Sequence, residues 1–182
     1  MMAGPDYEIG RSRTIGSELQ GEWELGSRLR LLTGVDFQKS LELEYTYASE
    51  LGDIYYQGTF DRNVISAFAH AEYQPRHNVI LSLGLRHDDY SHGLHFTTPR
   101  GAIVFHPTSK ASVKLVHGVA FRVPNPYELD YDDPVSGYKA NPSLKPEKIR
   151  TTELIWEQKL TSCVSGSISA FDNQIRGLIE YN

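Results

Sequence analysis

The sequence predicts an all-β fold, an antiparallel up-and-down segment of a membrane-spanning β-barrel. Three observations predict it: stretches that alternate apolar and polar residues, connections that take turns between short and long, and an aromatic residue on the apolar side ahead of each short turn. Period-two alternation puts successive side chains on opposite faces of a strand. From Ile15 to Leu25, Ile15, Leu19, Trp23 and Leu25 share one face, opposite Glu18, Gln20, Glu22 and Glu24. From Arg28 to Gln38, Leu29, Leu31, Val35 and Phe37 oppose Arg28, Arg30, Asp36 and Gln38. Only Leu25-Gly26-Ser27 separates the two, a tight hairpin turn.

Further strands are expected at Arg62 to Gln74, Asn78 to Tyr90, His95 to His106, Ser109 to Phe121, Thr151 to Leu160 and Cys163 to Asn173, about eight in all. In the Asn78 strand, Val79, Leu81, Leu83 and Leu85 oppose Ser82, Gly84, Arg86 and Asp88; Leu154, Trp156 and Leu160 similarly oppose Glu153, Glu157 and Lys159. The Ala102/Val104 and Cys163 to Asn173 stretches alternate less clearly. Short turns fall at Leu25 to Ser27, Gln74 to His77, His106 to Thr108 and Leu160 to Ser162. Longer polar links come between them, at Ser40 to Asp61, Asp89 to Leu94 and Pro124 to Lys148. Trimmed turns at one rim and elaborated loops at the other are the habit of bacterial outer-membrane barrels. Trp23, Tyr73, Phe105 and Trp156 precede the short turns on the apolar face and fit a periplasmic aromatic girdle.

Composition narrows the classes. A net charge of −5 with no dense Lys/Arg run argues against nucleic acid as a partner, since that binding rests on neutralising phosphates. No run approaches the ~18 apolar residues of a membrane helix. One cysteine, Cys163, can make no internal disulfide and reads as an inert strand residue. Glu18, Glu22, Arg28, Arg30, Glu72, Arg86 and Lys114 on the polar faces suit a wide wet lumen, and so a barrel larger than these strands close alone. The chain's first residues lack the basic start and apolar run of an export signal.

Four stretches, LSLGLRHDD at Leu81 to Asp89, PRGAIVFHP at Pro99 to Pro107, VKLVHGVAFRVPNPYEL at Val113 to Leu129 and NPSLKPEKIRTTELIWEQ at Asn141 to Gln158, resemble the barrel of TonB-dependent receptors. FDNQIRGLI, from Phe171 to Ile179, extends the resemblance. Its most specific part is the FRVP run, a Tyr-rich loop and NPSLKPE, with Phe121, Arg122, Pro124, Asn141, Pro142, Leu144, Pro146 and Glu147 as its marks. The prolines cannot donate to a ladder, so Phe121 should end one strand and Ile149 start the next, with Glu147 and Arg150 available to anchor the returning strand. The resemblance implies residues 1–182 are part of a barrel of about 22 strands whose plug domain and terminal strands lie elsewhere. It further implies energy-dependent uptake of a scarce nutrient such as an iron-siderophore, haem or cobalamin, with outer-membrane lipid, TonB acting through the plug, and a small-molecule ligand as partners.

Tyr45, Tyr47, Tyr55, Tyr56, Tyr127, Tyr131 and Tyr138 sit in the long links, where a flat ring and a hydroxyl suit ligand contact, as does Arg122; the alternative is that they pack the loops together. Glu128, Asp130, Asp132 and Asp133 suggest calcium at first, but Asp133 stands where an EF-hand needs glycine and Lys139 where it needs the closing glutamate. His92 and His95 alone make no metal site. No histidine lies between Pro124 and Asn141, which some haem receptors of the family carry there, so haem ranks low. No nucleophile elbow, Walker loop or HExxH helix is present, so neither enzyme nor cofactor is expected. The competing readings are a small outer-membrane or soluble ligand-binding barrel, and, further off, an outer-membrane hydrolase.

Overall fold

The computed structural model describes residues 6–91, 93–132 and 139–180. Nine strands form one antiparallel sheet: β1 (Asp6–Leu25), β2 (Leu29–Ser49), β3 (Ile54–Thr59), β4 (Asn63–Arg76), β5 (Val79–Tyr90), β6 (His95–Thr108), β7 (Ala111–Arg122), β8 (Glu147–Lys159) and β9 (Ser165–Arg176). A single helical turn, α1 (Pro126–Asp130), lies between β7 and β8. Spatial order follows chain order, except that β3 pairs only with the far end of β2, in line with β4. Among the described residues β1 and β9 do not pair with each other, so the sheet is open, with β1 and β9 as its edges.

Register makes the two faces explicit. Leu25, Leu29, Tyr73, Leu81, Ile103, Leu115, Leu154 and Ala170 stand opposite one another in succession across eight strands. One residue away, on the other face, the row reads Glu24, Arg30, Glu72, Ser82, Ala102, Val116, Glu153 and Phe171. The apolar face is uncovered: Leu19 is 75%, Leu83 69% and Ile168 77% exposed, while the only buried apolar residues among those described are Ala48, Pro124 and Tyr131, at the long-connection end. A sheet stable in water covers its apolar face with a second layer. One that leaves the face bare is made for a solvent as apolar as itself.

Strand lengths agree and correct one expectation. A tilted membrane strand needs ~9–11 residues, and β5, β7 and β9 have 12 each. The segment beyond Ser40 is not a loop: β2 runs on for 21 residues to Ser49, paired with the first half of β1, and β3 folds back on it. At ~3.3 Å per residue, β2 is roughly 70 Å long, well beyond a band of ~25 Å even when tilted. Alternation in SLELEYTYAS continues past the bilayer and keeps these residues in strand form.

The tight turns and long connections keep their predicted order. Gly26, at φ +74°, supplies the left-handed residue of the β1–β2 turn. Register slips between Tyr73 and Arg76 and between Phe105 and Thr108 coincide with Pro75 and Pro107, which have no N–H to give. The β6–β7 ladder likewise stops at Arg100–Gly118, beside Pro99. Cys163 is exposed in the turn before β9 rather than within a strand.

Candidate functional site

The long-connection end gathers most of the residues singled out in the sequence. A bulge places Leu41 outside the β1–β2 register, since Thr14 pairs with Ser40 and Arg13 with Glu42. One extra residue exchanges the faces of everything beyond it. Tyr45 and Tyr47 consequently join the polar face, the face of Glu18 and Asp36, instead of following Phe37 onto the apolar one. Tyr56 pairs with Tyr47 across the hairpin, and Tyr55 is the residue that slips out of register there.

Tyr131, just beyond α1, completes the group. Ring centroids lie 6.2 Å apart for Tyr45–Tyr56, 5.1 Å for Tyr47–Tyr55, 6.2 Å for Tyr47–Tyr131 and 5.5 Å for Tyr56–Tyr131. The last two are edge-on, the favoured arrangement of aromatic quadrupoles. Burial and the nearby Asp130 carboxylate raise the Tyr56 phenol above its ordinary pKa, so it stays a neutral hydroxyl. Tyr131 is 6% exposed while Tyr55 is 49% exposed: one side of the cluster clamps the loop and the other remains open. The side chain of Tyr127, in α1, and the whole of Tyr138 lie outside the described residues, as do His92 and Asp133.

The motif residues hold the feet of this loop. Arg122, the last residue of β7, donates from Nε (2.8 Å) and Nη2 (2.7 Å) to Glu147, the first residue of β8, and from Nη1 to both oxygens of Glu128 at 3.0 Å. Glu147 is 5% exposed and also accepts the Ile179 backbone N–H at 2.9 Å. This bidentate pairing holds the Glu147 carboxyl down at about 2 and raises the Arg122 pKa further. Glu128 and Asn125 exchange backbone-to-side-chain hydrogen bonds at 2.8 Å, a capping box on α1. Pro124 is fully buried and its carbonyl accepts Arg62 Nη2 at 3.0 Å. Asn141 closes a turn by accepting from Ser143 and Leu144 ahead of exposed Pro142, and Phe121 stacks on Phe96 at 4.9 Å. Pro146 leads into Glu147, its carbonyl facing Gly177.

Glu147 is tied to Arg122 across the first β7–β8 pair, whereas Arg150 stands on the opposite, apolar face, paired with Val119 and Gln174. Arg62, Glu128 and Ile179 were not among the expected anchors. The N-x-x-E spacing of Asn125 and Glu128 was the readable sign, obscured by counting Glu128 among calcium carboxylates. Among the described residues no three His, Cys, Asp or Glu side chains converge on a metal position.

Lower down, the polar face is threaded by ion pairs. Arg86 donates to Asp36 (2.9 Å), Asp88 (2.7 Å) and Ser66 (2.8 Å), tying β2, β4 and β5 together. Beside it a cleft of about 350 Å³ is lined by Glu18, Phe68, His70, Thr98 and Arg100. Arg100 can only donate, so His70 Nδ1, 3.1 Å away, accepts, and His70 Nε2 gives its proton to Ser82 at 2.7 Å. Trp23, Tyr73, Phe105 and Trp156 all stand on the apolar face near the tight turns, 41–57% exposed.

Comparison with known proteins places this architecture. The family model for "TonB dependent receptor-like, beta-barrel" matches residues 4–182. The chain is 33% identical over 151 residues, 82% of its length, to the vitamin B12 transporter BtuB of Vibrio cholerae serotype O1, and it spans 22% of that relative. Among solved structures, the siderophore receptor PirA of Pseudomonas aeruginosa superposes with a TM-score of 0.68 over 91% of this chain and 31% of that one, at 18% identity. A mutant of the ferric enterobactin receptor PfeA of Pseudomonas aeruginosa gives 0.72 over 93% and 27%, also at 18%. With the bare apolar face, the alternating rims and the matched length together, the chain belongs to the TonB-dependent receptors, as part of their outer-membrane β-barrel.

Proposed function

We propose that these strands form one wall of a receptor that takes up a scarce, bulky nutrient across the outer membrane, such as cobalamin or an iron-siderophore complex. In this reading TonB supplies the energy through a plug domain seated inside a closed barrel of about 22 strands. The observation that carries it is the division of the sheet: an uncovered apolar face for lipid, an ion-paired polar face for a wet interior, and a tyrosine cluster held over that interior at the long-loop end. The relatives are transporters and receptors of the same kinds of cargo, which supports the reading. Trp23, Tyr73, Phe105 and Trp156 serve as the periplasmic girdle, which sets the Pro124 to Lys148 loop outside the cell.

The cluster meets the ligand through its open side. Tyr55 offers a ring and hydroxyl directly, with Tyr45, Tyr47 and Tyr56 behind it; Tyr127 and Tyr138 belong to the same end by sequence. Arg122, committed to two carboxylates, positions the loop instead of touching cargo. The test is uptake of labelled cobalamin and of ferric siderophores by cells with the full-length gene deleted, restored, or restored with Tyr55→Ala. Loss of one cargo on deletion, dependent on TonB and weakened by Tyr55→Ala, is expected; uptake of every cargo unchanged by deletion overturns the reading. A cysteine introduced into the loop should react with an impermeant reagent on intact cells, and reaction only after lysis would refute the orientation.

A further inference from the structure

The apolar face is not apolar throughout. On β7, β8 and β9 it begins at the tight-turn end with Leu115, Leu154, Trp156 and Ile168, all well exposed. Toward the long-loop end the same face carries Lys148, Arg150 and Arg176, with no register slip between. Lys148 stands directly opposite Arg176, and Arg150 opposite Gln174, one step below. Like charges directly opposite each other destabilise a sheet. Among the described residues none of the three makes an ion pair, and Lys148 overlies the Phe121 ring at 5.3 Å. The one carboxylate on this face of the three strands, Asp172, accepts a hydrogen bond from Gln174 at 3.0 Å.

Depth says what neutralises them. From Trp156 to Lys148, β8 climbs roughly 20 Å, taking ~3.3 Å per residue and a tilt of ~35–45°. An apolar band is ~25 Å tall, so Lys148 and Arg176 approach its outer border and Arg150 lies just within it. Long cationic side chains in that position extend toward the headgroups and meet the anions there. We propose that Lys148, Arg150 and Arg176 form a binding surface for the phosphate of an outer-leaflet lipid headgroup. The surface rests on the apolar face lying in lipid and not on which nutrient is carried, so either reading can fail alone.

The test uses the full-length protein in detergent, titrated with diphosphoryl lipid A and with the same lipid stripped of phosphate, and bound lipid is counted by native mass spectrometry. The K148Q/R150Q/R176Q variant should bind diphosphoryl lipid A roughly a hundredfold more weakly, at about 1 kcal/mol of surface attraction for each of the three cations. The phosphate-free lipid should bind both proteins alike, and millimolar inorganic phosphate should not displace lipid A. Equal binding of lipid A by variant and parent, or equal binding of the two lipids by the parent, overturns the proposal, as would displacement by free phosphate. That includes the case in which a neighbouring strand supplies the counter-charge. Should the triple variant not fold, as judged by heat-modifiable migration, the charge-keeping pair R150K/R176K must retain lipid A binding and the parent's binding must fall with added salt. Failure of either is equally decisive.

Discussion

Close approach across the polar face turns on single glycines, and three of them separate the physical effects. A Cβ on Gly34 would run into the ring of Phe68 and lie 2.9 Å from the Leu19 carbonyl, which belongs to the paired backbone and cannot withdraw. Gly34→Ala should therefore cost about 1–3 kcal/mol, the usual cost of overpacking. At Gly84 the obstacle is the Arg100 side chain, 2.8 Å away, which can swing aside at the expense of its bond to His70. Gly84→Ala should cost about 1 kcal/mol, the value of one such hydrogen bond. Gly118 has nothing within 4 Å of its added Cβ, and Gly118→Ala should lie within about 0.5 kcal/mol of the parent. Urea unfolding of the full-length barrel in detergent orders the three; an equal effect at all sites would mean that backbone propensity, not contact, decides.

At the scale of elements, two of the fastenings that hold the β7–β8 loop yield different readouts. The first is Tyr131, seated against Tyr47 and Tyr56 of the β2–β3 hairpin. Its removal in Tyr131→Ala should free the loop without unfolding the sheet, because the ladders of β7 and β8 are untouched. Trypsin should then cut faster at exposed Lys139, which Ala140 follows; unchanged cleavage would show that the ring is not what holds the loop. The second fastening is Arg122 on Glu147. A carboxyl held at about 2 when folded, against 4.5 ordinarily, contributes stability that is complete above about 4.5 and lost as pH falls through about 2. Melting temperatures of parent and Glu147→Gln should differ at pH 6 and converge as pH descends through that window, whereas a constant gap would assign the effect to packing. Much of this was legible in advance: FRVP and NPSLKPE marked the two feet, and alternation marked β4, β5, β7 and β8 and, less clearly, β6 and β9. What sequence could not give was the bulge at Leu41, because one residue out of register leaves the local pattern intact while exchanging the faces beyond it. The partners of Glu147 were likewise hidden, since Arg122 and Ile179 meet it only when three connections converge on one rim.

For the molecule as a whole, the question is which liquid each face was made for, and adjacent residues can answer it. Leu115 and Val116 sit at the same depth on β7, Leu115 in the apolar row and Val116 in the polar one, at 44% and 37% exposure. In water, arginine at two such similarly exposed positions would be tolerated about equally, because a charge there stays hydrated. In a bilayer the positions part company. Leu115→Arg puts a guanidinium among acyl chains one pair-step inside the Trp156 girdle, at about 1–2 kcal/mol, between the cost at the interface and that at the midplane, while Val116→Arg adds a cation to an interior already carrying Glu153 opposite it. Unfolding of the full-length protein in phospholipid bilayers should show the first variant destabilised and the second within about 0.5 kcal/mol of the parent. The same pair measured in a thin, water-permeated detergent shell should lie closer together. If Val116→Arg proved the more damaging in bilayers, the assignment of faces would be reversed, and with it the side from which lipid phosphate and cargo reach this wall.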